Sequence, residues 1–328
     1  MSNHCCWSEV GIKGIKFPQQ SFERLLEDLD WNFLDWFNYW IANDGETLAN
    51  TSWPKGVKQD WIWGLALPLL SEIKRISKDQ SKSSILGISA LPGCGKSSLG
   101  SWLETSSNLL NLPINVISLD DFYLPGEELA KAMDGNPWNV PRALPGSHEI
   151  KLLEDTIINW KETGDLLAPQ FDKALRAGLG DRSGWIKSKP QVLILEGWFL
   201  GCKPIYKSQI PVDCLEPSLT SREVYYREKI QDELIKYETI WKHLQRTWHI
   251  KALDFSSTCK WKIDQETKMF ELRGSSLKGD LLNSFVRMIQ ASIPQYSLNN
   301  LDSDVVIKIN ESREVLWAGR TVDQEPSD

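Results

Sequence analysis

One short segment of the chain combines residue types that bind phosphate. It runs from Ile85 to Leu99 with the sequence ILGISALPGCGKSSL, in which an apolar run precedes glycines, a lysine and serines. Gly93 and Gly95 let the backbone curl so that successive N–H groups point at phosphate oxygens, and a following helix adds its positive N-terminal end. Lys96 is placed to reach the β and γ phosphates, and the Ser97 hydroxyl to bind Mg²⁺. The segment predicts a nucleotide-binding loop.

The consensus match of this loop is AxxxxGKS, with Ala90 where the consensus has its first glycine. The alternative is a glycine-rich turn in which Lys96 is merely solvated, but a loop that directly follows an apolar strand favours nucleotide binding. No Asn-Lys-x-Asp sequence, the guanine-reading signature, occurs in the chain, so ATP is the better prediction. The predicted nucleotide-binding residues are Ala90, Pro92, Gly93, Cys94, Gly95, Lys96, Ser97 and Ser98.

Two acids follow a second apolar run. The predicted strand from Ile114 to Leu119 ends in Asp120 and Asp121, followed by Phe122 and Tyr123. The carboxyl ends of parallel strands line the ligand crevice, so these acids should lie near the phosphates. A carboxylate there would orient an attacking hydroxyl and accept its proton, and Asp120 is the better candidate. The alternative for both acids is an Asx turn or helix cap, which for Asp121 is equally compatible with the sequence.

A third apolar run, Val192 to Leu195, ends in Glu196 and Gly197. A carboxylate after four apolar residues is the Walker B arrangement, which holds Mg²⁺ directly or through water. Spacing alone makes this a weak pattern, but the phosphate loop requires such a partner. The predicted Mg²⁺ ligands are Ser97, Glu196 and Asp120.

Positive charge is concentrated between Pro169 and Lys189, where five lysines or arginines face two aspartates, Asp172 and Asp181. Arg176 and Arg182 are candidates for binding an acidic substrate or the transferred phosphoryl group, because a guanidinium forms paired hydrogen bonds with a carboxylate or a phosphate. Lys187 and Lys189 are better interpreted as a solvated turn. Upstream, the loop PRALPGSHE carries Arg142 and His148. A lone histidine is usually structural, but the position of His148 between two site segments makes a substrate contact equally plausible.

The composition limits the classes to which this protein can belong. The chain has 328 residues, 41% of them hydrophobic, and a net charge of −7, which argues against nucleic acid or an anionic membrane as the main partner. The N-terminal sequence lacks the features of a secretory or transit signal. Six cysteines without regular spacing predict neither a disulfide framework nor a zinc site, so a cytoplasmic location is expected. Sixteen tryptophans, seven of them in the first 63 residues, predict dense aromatic packing rather than a binding code.

The apolar spacing predicts two kinds of architecture. Residues 22–40 form one apolar stripe on a helix, and a second helix is predicted over 59–76 with an interruption near Pro68, so residues 1–80 are expected to form a helical, Trp-rich extension. Residues 81–328 show the alternating pattern of strands and helices that predicts an α/β fold, with a parallel sheet flanked by helices. A further strand is predicted at Val305–Ile309. A long helix is predicted over 222–248, either a lid or a packing arm.

The motifs ALPGCGKSS, SLDDFYLP, PRALPGSHE, APQFDKALRAGLGDRSGW and LILEGWFLG together resemble the D-glycerate 3-kinases of plants and cyanobacteria. These are related to the uridine kinase, phosphoribulokinase and pantothenate kinase group of P-loop kinases. The resemblance runs from about residue 84 to the C-terminus and covers the first 80 residues only loosely. The family usually has glycine after the arginine that matches Arg142, where this chain has Ala143.

The resemblance implies a P-loop kinase that uses ATP and Mg²⁺ to phosphorylate D-glycerate at its 3-hydroxyl, with a photorespiratory role. Its partners would be these small molecules, with the protein a monomer or small homo-oligomer. Residues 222–266 would fall in the lid, where Lys262 is a weaker candidate for covering the phosphates. The implied catalytic residues are Asp120, Lys96, Arg176 and Arg182, and the implied substrate contacts are Asp121, Tyr123, Arg142, His148 and Asp172. Another small acceptor, such as pantothenate or a nucleoside, and a regulatory nucleotide-binding ATPase remain the alternatives.

Overall fold

A computed structural model describes residues 7, 12–53, 57–79, 83–205, 215–274, 276, 277 and 279–324. Short helices lie in the described part of the first 80 residues, and strands alternate with helices thereafter. The helices are α1 Gln19–Asp28, α2 Phe33–Ala42, α3 Gly45–Ser52, α4 Gln59–Trp61, α5 Leu67–Ile76, α6 Lys96–Leu109, α7 Gly126–Ala132, α8 Ile150–Thr163, α9 Ser221–Trp241, α10 Ser257–Arg273, α11 Gly279–Ala291 and α12 Gln295–Asn299. The strands are β1 Ser84–Ala90, β2 Ile114–Ser118, β3 Leu166–Asp172, β4 Asp181–Ser188, β5 Val192–Gly197, β6 Arg246–Ala252, β7 Val305–Ile309 and β8 Val315–Arg320.

The central sheet has six strands in the order β2-β5-β1-β6-β7-β8. The pairs from β2 to β7 are parallel, and only β8 is antiparallel to its neighbour. Every residue of β1 and β5 is buried, as expected for strands covered by helices on both faces. Because β2, β5 and β1 are adjacent and parallel, the residues that follow them meet at one edge of the sheet. The predicted α/β fold with a parallel core is therefore confirmed.

The N-terminal helices pack directly on the sheet rather than standing apart from it. Helix α1 lies against β8, and α3 against α6. Trp36 and Trp40 are fully buried, and both indole N–H groups donate to the Ser71 hydroxyl, at 2.8 and 2.9 Å. Buried tryptophans need such partners, so the aromatic excess serves packing in this part of the chain. Whether residues 1–80 form a separate domain stays a prediction.

One helix prediction needs correction and another is confirmed. The helix predicted over 222–248 ends at Trp241, and Trp248 lies in β6, between β1 and β7 of the central sheet. Residues 222–266 therefore comprise α9, β6 and the first part of α10, and their role as a lid stays a prediction. The helix predicted over 59–76 with an interruption near Pro68 is confirmed, because a π-helical turn at Ile62–Ala66 separates α4 from α5, which carries Pro68 in its first turn.

Strands β3 and β4 form a separate antiparallel hairpin within the basic segment, where the sequence indicated no strand. Arg176 and Ala177 at its tip have φ values of +52° and +54°, in the left-handed region. Lys187 lies in β4 and Lys189 pairs with Asp165 at the surface, as expected for solvated residues. Among the helices of the described residues, none is long and apolar enough to cross a membrane.

Candidate active site

The predicted phosphate loop connects β1 to α6. Gly93 and Gly95 have φ values of +83° and +102°, a region that glycine adopts without steric cost. Cys94 between them is fully buried, and burial raises the pKa of its thiol to about 12, so it serves as an inert filler. Helix α6 begins at Lys96, so the loop backbone leads directly into a positive helix end. This is the strand, loop and helix context that the motif requires.

The two reactive side chains of the loop face different partners. The Lys96 ammonium donates to the carbonyl of Ala90 at 2.7 Å and to that of Leu91 at 3.3 Å. The Ser97 hydroxyl lies 3.5 Å from Oε1 of Glu196, which is 7% exposed near the end of β5. Serine and glutamate oxygens are ligands that Mg²⁺ accepts, so this pair fits the predicted metal role.

The described residues contain no group of three or more His, Cys, Asp or Glu side chains placed to hold a metal ion. Ser97 and Glu196 would hold a Mg²⁺ ion together with nucleotide phosphates and water. That is the usual arrangement for Mg²⁺ at nucleotide sites, because this ion keeps several waters. Asp120 as a further ligand stays a prediction.

Asp120 follows β2 and is held by two residues. Its Oδ1 accepts a hydrogen bond from the Tyr123 hydroxyl and its Oδ2 one from Lys173, both at 2.7 Å. Burial raises the pKa of Asp120, but the charge and hydrogen bond of Lys173, with a smaller contribution from Tyr123, outweigh burial and hold that pKa well below its usual range. The carboxylate is therefore ionised at neutral pH and oriented, as a group that receives a hydroxyl proton must be.

His148 lies beside this acid. Its ring stacks on Tyr123 with centroids 4.5 Å apart, and its Nδ1 is 2.6 Å from the Tyr237 hydroxyl. That hydroxyl accepts a hydrogen bond from the Gly146 N–H, so its own proton is free for Nδ1, and we infer that Nε2 carries the imidazole proton. Burial lowers the pKa of His148 to about 4, with Asp120 opposing the shift. Among the described residues, Nε2 is buried without a hydrogen-bond partner, and a substrate contact by His148 stays a prediction.

Arg142 joins the loop before His148 to the β3–β4 hairpin. It is 3% exposed, and its Nη1 donates to the carbonyls of Gly178 and Leu179 at 2.8 and 3.0 Å. Ala143, which replaces the glycine of the resembling family, has a φ of +84°, the conformation that favours glycine. Arg142 therefore positions the hairpin tip. The positive φ of Ala143 explains why glycine suits this position in the resembling family.

The other predicted arginines have partners away from Asp120. Arg182 pairs with Glu149 and donates to the Tyr123 carbonyl at 3.2 Å. Arg176 is exposed at the hairpin tip. Its guanidinium lies close to Gly126, because a Cβ added at Gly126 would be 2.7 Å from Arg176 Nη1. The charge of Arg176 contributes to the low pKa of Asp181, after the hydrogen bond from the Gly126 N–H. In this structure neither arginine contacts the predicted general base, so their catalytic roles stay predictions.

Asp121 and Asp172 have local structural roles. The Asp121 carboxylate accepts main-chain N–H groups from Ser118 at 3.0 Å and Phe171 at 3.4 Å, forming a capping box on the turn that follows β2. Burial raises the pKa of Asp121 to about 6. Asp172 accepts the Ala174 N–H at 2.9 Å in the hairpin turn. The cap interpretation of Asp121 is therefore the one that the structure supports.

Two lysines near the site were not selected as catalytic from the sequence. Lys173 pairs with Asp120, and its pKa is raised because Asp120 outweighs burial, with Glu196 contributing. Lys262 on α10 is 7% exposed and pairs with Glu266 at 2.6 Å. Burial lowers the pKa of Lys262, with smaller contributions from Lys173 and Arg142, so these cations lie close together. The position of Lys173 next to Asp172 in the basic segment was the only signal available.

A parallel sheet with a glycine loop after β1, an acid after β2 and a glutamate ending β5 defines the class of P-loop kinase folds. A solved D-glycerate 3-kinase from Cryptococcus neoformans has this fold, with a TM-score of 0.63 and 21% identity. The superposition covers 77% of this chain and 99% of that one. No protein-family profile matches the chain.

Curated relatives agree with this class. An uncharacterized kinase of Schizosaccharomyces pombe is 28% identical over 242 residues, which is 70% of this chain and 85% of that protein. The chloroplastic D-glycerate 3-kinase of Arabidopsis thaliana is 28% identical over 256 residues, 71% of this chain. The match spans only 54% of the plant enzyme. The chain is thus similar to kinases that include D-glycerate 3-kinases.

Proposed function

We propose that this protein transfers the γ-phosphoryl group of ATP to the 3-hydroxyl of D-glycerate, giving 3-phosphoglycerate and ADP. The observation that carries the proposal is the oriented, ionised Asp120 together with His148, which stacks on the Tyr123 ring and whose buried Nε2 lacks a partner among the described residues. A small hydroxy acid offers a hydroxyl for the first group and an oxygen acceptor for the second. Similarity to enzymes named D-glycerate 3-kinase supports this acceptor.

The reaction needs positioning more than covalent chemistry. The 3-hydroxyl oxygen attacks the γ phosphorus, the bond from phosphorus to the bridging oxygen of ADP breaks, and Asp120 receives the hydroxyl proton. A strongly acidic carboxylate is a weak base, so Asp120 would accept the proton late and act chiefly by orienting the hydroxyl. Mg²⁺ held near Ser97 and Glu196 would neutralise phosphate charge.

Lys173 is suited to a second task in the same step. It pairs with Asp120, and the charge of Glu196 contributes to its raised pKa, so it lies near both acids. An ammonium there would stabilise charge on the transferred phosphoryl group or bind the acceptor carboxylate. A cytoplasmic location, a photorespiratory role and the oligomeric state remain predictions.

The test is a coupled assay with ATP and, in turn, D-glycerate, L-glycerate, pantothenate and uridine. We expect ADP release only with D-glycerate, and ³¹P NMR should identify the product as the 3-phosphate. Turnover with pantothenate or uridine instead would replace the acceptor, and hydrolysis independent of any acceptor would overturn the kinase proposal.

Asp120→Asn tests the general base directly. Replacing a positioned acid–base group typically lowers kcat about 100-fold or more, while ATP binding should remain within about twofold. Asp134→Asn is the matched control, because Asp134 is exposed and outside the site. Near-normal turnover of Asp120→Asn would show that the assignment is wrong.

A further inference from the structure

The turn between β7 and β8 connects the N-terminal helices to the phosphate loop. Its residues 310–314 contact three parts of the chain: the region around α4, the phosphate loop and helix α10. The motifs of the kinase class do not include this turn.

The turn has a fixed conformation. The Asn310 side chain accepts the N–H groups of Ser312 and Glu314 at 3.0 and 2.9 Å, and the Arg313 N–H donates to the Asn310 carbonyl at 2.9 Å. Arg313 has a φ of +55°, a conformation uncommon for a residue with a side chain. The hydrogen bonds of the turn stabilise this positive φ, which is otherwise unfavourable for a residue with a side chain.

Arg313 binds the phosphate loop itself. Its Nε donates to the Gly93 carbonyl at 3.0 Å, and its guanidinium lies 5.2 Å from the centroid of the Trp261 ring of α10. A phosphate-binding loop works when its N–H groups point inward, which requires its carbonyls to point outward and find donors. Arg313 supplies a charged donor to one such carbonyl, so it constrains the conformation of the loop at Gly93.

The N-terminal helices hold Arg313 from the other side. The Trp61 indole N–H donates to the Arg313 carbonyl, and the adjacent Asp60 accepts the Val315 N–H at 2.6 Å. Lys58 pairs with Glu314 at 3.2 Å. The ring of Trp61 also lies close to the loop, because its Cη2 would be 3.6 Å from a Cβ added at Gly95.

We propose that Arg313 is a positioning residue for nucleotide binding. We further propose that the N-terminal helices set the affinity for ATP, because the Trp61 hydrogen bond keeps Arg313 in place. The inference rests on the proposed use of ATP at this loop. It assigns residues 58–61 a role in nucleotide affinity as well as packing.

Direct binding separates the inference from the proposed function. Isothermal titration with Mg·ATP, without acceptor, should show that Arg313→Asn raises the Kd about tenfold, as expected for loss of a hydrogen bond to a charged donor. Asparagine tolerates positive φ, so this variant keeps the turn. Trp61→Phe keeps the aromatic ring but loses the N–H, and should raise the Kd about threefold.

The kinetic readout distinguishes positioning from general destabilisation. Both variants should raise the KM for ATP in proportion to the Kd, leaving kcat and the KM for acceptor within about twofold. Arg320→Asn is the matched control, because Arg320 lies at the far end of β8 and pairs with Asp323. A Kd for Arg313→Asn equal to that of the unmodified protein overturns the inference, as does an equal rise for Arg320→Asn. If the unmodified protein binds no nucleotide, the proposed function fails instead.

Discussion

The Lys173 ammonium lies 2.7 Å from the Asp120 carboxylate although the two residues are separated by 53 positions in the chain. Asp120 lies in the turn after β2 and Lys173 in the turn between β3 and β4, so the two meet only because the hairpin packs against the turn after β2. Asp121 helps to hold this arrangement, since its carboxylate accepts the Phe171 N–H of β3. Asp121 therefore has a structural role as a capping residue, whereas the adjacent Asp120 is the proposed general base.

Lys173→Met should change the pH dependence of the reaction. The low pKa of Asp120 depends mainly on Lys173, so in the variant this pKa should rise toward its usual range, because burial is then opposed only by the smaller effects of His148 and Tyr123. The acid limb of kcat/KM for the acceptor should move to higher pH, and activity at pH 5 should fall more than at pH 8. A pH–rate profile from pH 4 to 9 measures this.

The same pair also affects stability with a definite sign. A carboxylate with a depressed pKa in the folded chain stabilises the fold at neutral pH and loses this contribution as the pH falls below its unfolded value near about 4. Unfolding by urea at pH 7 and pH 3 should therefore show a smaller difference for Lys173→Met than for the unmodified protein. An unchanged pH–rate profile and an unchanged stability difference would contradict the role of Lys173.

His148 should remain neutral throughout the working pH range. Burial lowers its pKa to about 4, so kcat/KM should show no inflection near the usual histidine value of about 6.5. His148→Phe keeps the ring that stacks on Tyr123 but removes the Nε2 donor, and should raise the acceptor KM about tenfold with ATP binding unchanged. Imidazole NMR signals that titrate near pH 6.5 for His148 would contradict this prediction.

The parts of the site that could be predicted from the sequence are those whose residues are consecutive or end a strand. The phosphate loop is one continuous motif, and Asp120 and Glu196 follow apolar runs that the sheet places side by side. The Lys173 pair and the Arg313 contact could not be predicted, because each joins segments that only tertiary folding brings together. The first three residues of β6, 246–248, were predicted as helix because Trp248 continues the helical spacing of α9, and no glycine or proline separates Trp241 from Trp248.

Gly93→Ala should damage the nucleotide site for steric reasons. An added Cβ would lie 2.5 Å from Trp261 Cβ and 2.9 Å from its carbonyl carbon, and the φ of +83° disfavours any side chain. Overpacking typically costs about 1 to 3 kcal/mol, in addition to about 1 to 2 kcal/mol for the left-handed backbone. We expect a lower melting temperature and at least about tenfold weaker binding of ATP.

Gly135→Ala separates these two costs. Gly135 has a φ of +71°, but an added Cβ would meet nothing within 4 Å. This variant should lose only the backbone contribution, about 1 to 2 kcal/mol, and bind ATP normally. Equal effects of the two substitutions on stability and binding would show that Trp261 does not constrain the loop.

The attachment of the N-terminal helices to the sheet depends on a buried charge. Glu72 of α5 is fully buried, where it pairs with Arg246 Nε at 2.6 Å and accepts the Trp248 indole N–H. Arg246→Met removes the main cation beside this carboxylate, and an uncompensated buried charge typically costs about 3 to 5 kcal/mol. Because Arg246 also pairs with Asp28 of α1, the loss should loosen two helices from β6.

The double variant Arg246→Met, Glu72→Gln tests the cause. Neutralising the carboxylate removes the unpaired charge while glutamine still accepts the Trp248 N–H, so the double variant should be more stable than Arg246→Met alone by about 1 to 3 kcal/mol. Urea unfolding of the four members of this cycle measures the coupling free energy. Strictly additive effects would mean that Glu72 and Arg246 stabilise the contact independently, and that the N-terminal helices are held by their aromatic packing instead.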